Sequence, residues 1–146
     1  MSSVLEVKEK CRLILTDTQG SVEMDKDGDF VLRRGSAIAF VRVEPLVDSD
    51  EDQGTLIQVF SILLTGVPAT PELFKHVALR SSDFRFGHLS CREDDDGTVK
   101  IMIKHRLLGD YLDPEELKWA VFAPLGSADA LDDELQGLFG GKKFTE

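Results

Sequence analysis

The chain has 146 residues, 42% of them hydrophobic, and carries 17 Lys and Arg against 27 Asp and Glu, for a net charge of −10. That length suffices for a single domain, residues 1–146, with its own apolar core, and the hydrophobic fraction argues against a disordered chain. The acidic balance repels phosphate backbones and anionic lipid, so neither nucleic acid nor a membrane surface is expected as a partner.

The opening MSSVLEVKEKC lacks an apolar h-region and predicts no secretory signal. No apolar run reaches the ~18 residues that a membrane span needs. The expected location is therefore the cytoplasm. Val4, Val7, Cys11 and Ile14 recur at helical spacing among charged residues, and Gly20 is the expected stop. Asp25-Lys26-Asp27-Gly28-Asp29 reads as a tight turn. FVLRRG and SAIAFVRVEPL then read as strands turning at Gly35, with Pro45 ending the second. The acidic stretch Asp48-Ser49-Asp50-Glu51-Asp52-Gln53-Gly54 reads as a loop, and TLIQVFSILLTGV, apolar on both sides, as a central strand.

Thr70, Pro71 and Glu72 supply an N-cap, a first helical residue and a charge suited to the helix dipole, and Leu73, Phe74, Val77 and Ala78 form an apolar stripe behind them. FRFGHLSCRE and TVKIMIKHRLL read as two strands joined by the hairpin turn Asp94-Asp95-Asp96-Gly97. A last helix opens at Asp113-Pro114, buries Leu117, Val121, Ala128, Leu131 and Leu135, and stops at Gly140-Gly141. Pro124 and Gly126 predict a kink in it, or two helices end to end. The expected fold class is α+β, in the order α-β-β-β-α-β-β-α.

No catalytic, cofactor-binding or metal-binding pattern stands out. An EF-hand needs Gly at its sixth position and Glu at its twelfth, but counted from Asp25 these places fall to Phe30 and Ser36. Asp94, Asp95 and Asp96 are consecutive and diverge in a hairpin. His76, His88 and His105 share no ligand spacing, and no glycine run cradles phosphate. Cys11 and Cys91 sit in apolar settings and read as two buried thiols, with a disulfide as the alternative. A Cys–His nucleophilic pair would need an electropositive setting that this acidic chain does not advertise.

Strand alternation is more informative. Ala37, Ala39, Val41 and Val43 form one wholly apolar side, as do Val99, Ile101 and Ile103. The opposite sides carry Ile38, Phe40 and Arg42 on one strand and Lys100, Met102, Lys104 and Arg106 on the other. If these mixed sides coincide, they make a solvent-facing apolar and basic surface suited to a protein or peptide partner with carboxylates. The alternative is an ordinary solvated sheet face. Leu73, Phe74 and Val77 pack either on the chain's own sheet or against a second copy.

The element order, with MDKDGDFVLRRGSAIAFVRV near its start and LLGDYLDPEELKWAVFAPLGSADALDDELQGLFGG near its end, resembles the type III secretion chaperones and the YbjN family. The likeness spans nearly the whole chain and is nearest to actinobacterial YbjN-like proteins regarded as peptide-binding chaperones. It implies a small dimerising domain without catalytic residues or cofactor, sheltering a segment of a partner. A regulatory adaptor that binds a folded partner is the alternative. A small hydrolase on the same scaffold is a third reading.

Overall fold

The computed structural model describes residues 3–48 and 50–144. Its elements are α1 (Val4–Gln19), β1 (Glu23–Met24), β2 (Phe30–Arg34), β3 (Ala37–Val47), β4 (Asp50–Val67), α2 (Pro71–Ser81), β5 (His88–Glu93), β6 (Val99–Leu108), α3 (Pro114–Phe139) and β7 (Lys142–Lys143). The longer elements follow the predicted order, and the two-residue strands β1 and β7 add to it.

The local signals act as their chemistry requires. The Ser3, Thr70 and Asp113 side chains each accept from a backbone N–H in the first turn of their helix. The β1–β2 and β5–β6 turns share one pattern. Asp25 N–H donates to the Asp29 carbonyl and Gly28 N–H to the Asp25 carbonyl, while Asp94 N–H donates to Thr98 and Gly97 N–H to Asp94.

The strands form one antiparallel sheet in the order β1-β2-β3-β4-β6-β5, with β7 against β4. The helices pack on one face only. There Val7, Cys11 and Leu15 of α1, Leu73 and Val77 of α2, and the apolar side of α3 meet Ala39, Val41, Ile57, Val59, Ile101 and Ile103. A separate, smaller cluster of Val31, Ile38 and Phe40 lies on the other face.

One expectation is corrected and two open alternatives are narrowed. Asp50–Gly54 is strand rather than loop, because the β3–β4 ladder runs outward through Pro45↔Thr55 to Val47↔Asp50. The backbones pair there while exposed side chains such as Asp52 and Gln53 stay solvated; Ser49 lies outside the described residues. Of the two alternatives at Pro124, two helices end to end are not formed: α3 runs as one helix from Pro114 to Phe139. An interior Pro costs about 3 kcal/mol. Fully burying each large apolar side chain contributes roughly 1.5–3 kcal/mol, and Leu117, Val121, Leu125, Leu131 and Leu135 are all buried along this helix. Leu73 and Val77 take the first of their two alternatives, the chain's own core, at 0% and 5% exposure, while Phe74 faces outward.

Candidate functional site

The helix-free face of the sheet brings the mixed sides of β3 and β6 together. β4 lies between them, and the register sets Phe40 beside Phe60 and Phe60 beside Lys104. A second row runs Arg42, Gln58, Arg106, and a third Ile62, Met102, Ser90. Strand alternation therefore places Ile38, Phe40, Arg42, Lys100, Met102, Lys104 and Arg106 on one face, opposite Ala39, Val41, Ile101 and Ile103.

That face is not open to solvent throughout. Ile38, Phe40 and Met102 are each only 6% exposed, which overturns the expectation that Phe40 and Met102 face water. Among the described residues, no helix covers Phe40. Phe60 stacks on it with ring centroids 5.2 Å apart, and Phe144, in the segment after α3, meets it edge-on at 6.0 Å. Offset and edge-to-face pairs of this kind suit the ring quadrupole.

The charges divide into two groups. Arg42 is committed within the chain: Nη2 donates to Asp29 Oδ2 at 2.7 Å, and Nε contacts both carboxylate oxygens at 3.1 and 3.2 Å. Its guanidinium carbon also lies 5.1 Å from the Phe60 ring centroid. The Asp29 carboxylate holds the guanidinium in its charged form, above its ordinary range. Lys100 pairs with Asp94 at 3.2 Å, and Arg106 Nε donates to Gln58 Oε1 at 3.2 Å. Among the described residues, Lys104 has no carboxylate partner. Burial lowers its ammonium pKa, and the positive charges of Arg106 and Arg92 lower it further. A partner's carboxylate placed there would relieve that repulsion.

Beside the aromatic cluster is a cleft of about 450 Å³, lined by Asp25, Lys26, Asp27 and Asp29 of the β1–β2 turn on one side and by Phe40, Arg42, Phe60, Ile62 and Phe144 on the other. The cleft can therefore hold an apolar or aromatic side chain against Phe40, and Lys104 lies outside its lining, on the far side of Phe60. A larger cleft, about 760 Å³, lies on the helix side between the α2–β5 connection and α3. Phe86 stacks on the exposed Trp119 there at 6.0 Å. Its Arg80 is already paired with Asp83 and Glu134.

The remaining candidates do not converge on chemistry. Cys11 and Cys91 are both free thiols, so the disulfide alternative is not formed. Burial pushes the Cys11 thiol up to about 12 and raises Cys91 as well, opposite to what a thiolate nucleophile needs. His76 packs edge-on to Phe139, and His105 packs against Phe86. Among the described residues, no group of three or more His, Cys, Asp or Glu side chains is placed to hold a metal ion. No helix there is long and apolar enough to cross a membrane.

Phe60, Ile62 and Phe144 were not singled out by sequence reasoning, and Asp29 was read only as part of a turn. The alternation Gln58, Phe60, Ile62 could have placed the first two once β4 was read as central. Nothing local to Phe144 signals its position.

A helix-backed antiparallel sheet with this order is the type III secretion chaperone-like fold. The crystal structure titled as the ExsC–ExsE complex contains a similar chain, with a TM-score of 0.57 at 17% identity over 91% of this chain and 96% of that one. Residues 6–146 match the family described as T3SS (YopN, CesT) and YbjN peptide-binding chaperone 1, TY-Chap1, and the chain belongs to that family. No curated protein matches it in sequence.

Proposed function

We propose that this protein is a non-enzymatic chaperone that binds and shelters a peptide segment of a partner protein on the helix-free face of its sheet. The observation that carries the reading is the aromatic cluster of Phe40 and Phe60 beside Lys104, on a sheet face that no helix covers. Apolar contact would supply affinity, and Lys104 would select acidic segments and speed their approach. Membership of a peptide-binding chaperone family supports this use of the fold, as does a similar fold solved in a two-protein complex. The two free thiols fit a reducing cytoplasm. The outward strip of α2, with Phe74 46% and Leu79 65% exposed, is our proposed meeting surface for a second copy.

The test is quantitative capture of partners from the source cells by wild type, Phe60→Ser, Lys104→Glu and Trp119→Ser, each first shown to melt cooperatively. Loss of a central anchor typically costs about 2 kcal/mol, or roughly thirtyfold in affinity. Loss of that size in Phe60→Ser, with a weaker salt dependence in Lys104→Glu, is expected. Capture that survives both changes and fails only in Trp119→Ser would move the site to the helix side and refute the proposal.

A further inference from the structure

Resting on that reading of the face, we propose that the segment after α3, Gly140–Phe144, is an internal stand-in for the partner. A bound partner would displace it, laying an extended strand on the end of β4 and delivering an aromatic side chain to Phe40 and Phe60. The chain's own segment already makes half of that interaction. Lys142 and Lys143 pair antiparallel with Thr65 and Leu64, and Phe144 N–H donates to the Leu63 carbonyl at 3.3 Å. Phe144 then turns onto the helix-free face, against Phe40. Backbone pairing combined with side-chain insertion is a general mode of peptide recognition.

The docked state is specifically built. Gly141 has φ +85°, and a Cβ there would sit 2.7 Å from both the Thr65 carbonyl oxygen and Val67 Cγ2. Only glycine lets the segment approach β4 so closely. Yet it is lightly held. Its ladder is two rungs long, Gln136 Nε2 donates to the Gly141 carbonyl at 3.2 Å, and Lys143 pairs with Asp133 and, at 3.9 Å, with Asp132. Phe144 is only half-buried, and the cleft of about 450 Å³ continues past it toward Arg42 and the β1–β2 turn. An occupant tied down this lightly can leave, and what it leaves is an aromatic slot against Phe40 that opens into the cleft.

The experiment uses the full chain and a fluorescein-labelled peptide, Gly-Gly-Lys-Lys-Phe-Thr-Glu. Gly141→Ala should expel the internal segment, and Phe144→Ala should vacate the slot. Each variant should bind the peptide at least tenfold more tightly than wild type does. The same peptide with Ala for Phe should not bind, and adding Phe60→Ser should remove binding. If both variants melt as cooperatively as wild type and bind no better, the segment is a fixed part of the fold and the proposal falls. Should either fail to fold, hydrogen exchange on wild type decides. The Phe144 amide must exchange at least tenfold faster than the central β4 amides, and exchange only through global unfolding would overturn the idea. Partner capture is measured independently, so failed peptide rebinding leaves the reading of the face intact. Capture indifferent to Phe60 and Lys104 would sink that reading whatever the peptide does.

Discussion

Asp29→Asn should destabilise the protein by about 2 kcal/mol, through one identifiable pair. The Asp29 side chain is 5% exposed and takes three contacts of 2.7–3.2 Å from Arg42, whose own side chain is 42% exposed. A hydrogen bond to a charged group contributes about 1.5–3 kcal/mol, but the contacts do not sum, because the half-exposed guanidinium regains water when released. For a chain of this length about 2 kcal/mol corresponds to a fall of roughly 4–8 °C in Tm. Arg42→Met keeps the apolar stem against the sheet and removes the other partner. Thermal and urea unfolding of wild type, both single variants and the double variant then give the coupling energy, expected to be about 1–2 kcal/mol. Additivity within about 0.5 kcal/mol would refute the pairing, and with it the claim that Arg42 serves the fold rather than a partner.

Burial lowers the His105 pKa from its ordinary 6.5, with His88 lowering it further and Glu116 opposing. The folded state therefore favours the neutral ring, so stability present above the unfolded pKa is lost as pH falls through the folded one. Tm should drop less in His105→Gln than in wild type between about pH 7.5 and 5.5, and identical slopes would count against this account. Cys11, with its thiol pushed up to about 12, should resist iodoacetamide in the native state while half-buried Cys91 reacts slowly. Rapid labelling of Cys11, or a Tm that changes with reductant, would contradict the buried free thiol.

Alternation was enough to read the two sides of β3 and β6, because a strand sends successive side chains to opposite faces whatever lies around it. Ala39, Val41, Ile101 and Ile103 face the helices accordingly. What alternation could not supply was the neighbour of each mixed side. Phe40 is buried because Phe60 arrives from β4 and Phe144 from beyond α3, and both are contacts of register and chain path rather than local pattern. Arg42 reads as a free cation until the β1–β2 turn sets Asp29 against it. The acidic run after Asp48 reads as loop because its side chains favour water, yet its backbone pairs with β3 regardless. At Pro124 local propensity leaves a kink and a break both open, and packing along the whole helix excludes the break.

The unbroken α3 connects the two faces. At 26 residues it is about 39 Å long, and it lies against β2, β3, β4 and β6. Its last turn fixes where Gly140 and Gly141 stand, and Gly141 reaches β4 only from that place. A break at Pro124 would turn the end of the helix away, and Phe144 would lose its approach to Phe40. The helix that closes the core on one side thus sets how the aromatic cluster is occupied on the other. The sheet need not move for the two faces to be coupled, since the chain passes directly from one to the other. Leu135→Ala should therefore speed hydrogen exchange at the Phe144 amide more than at the central β4 amides, because β7 has only two rungs, and equal changes would refute this coupling.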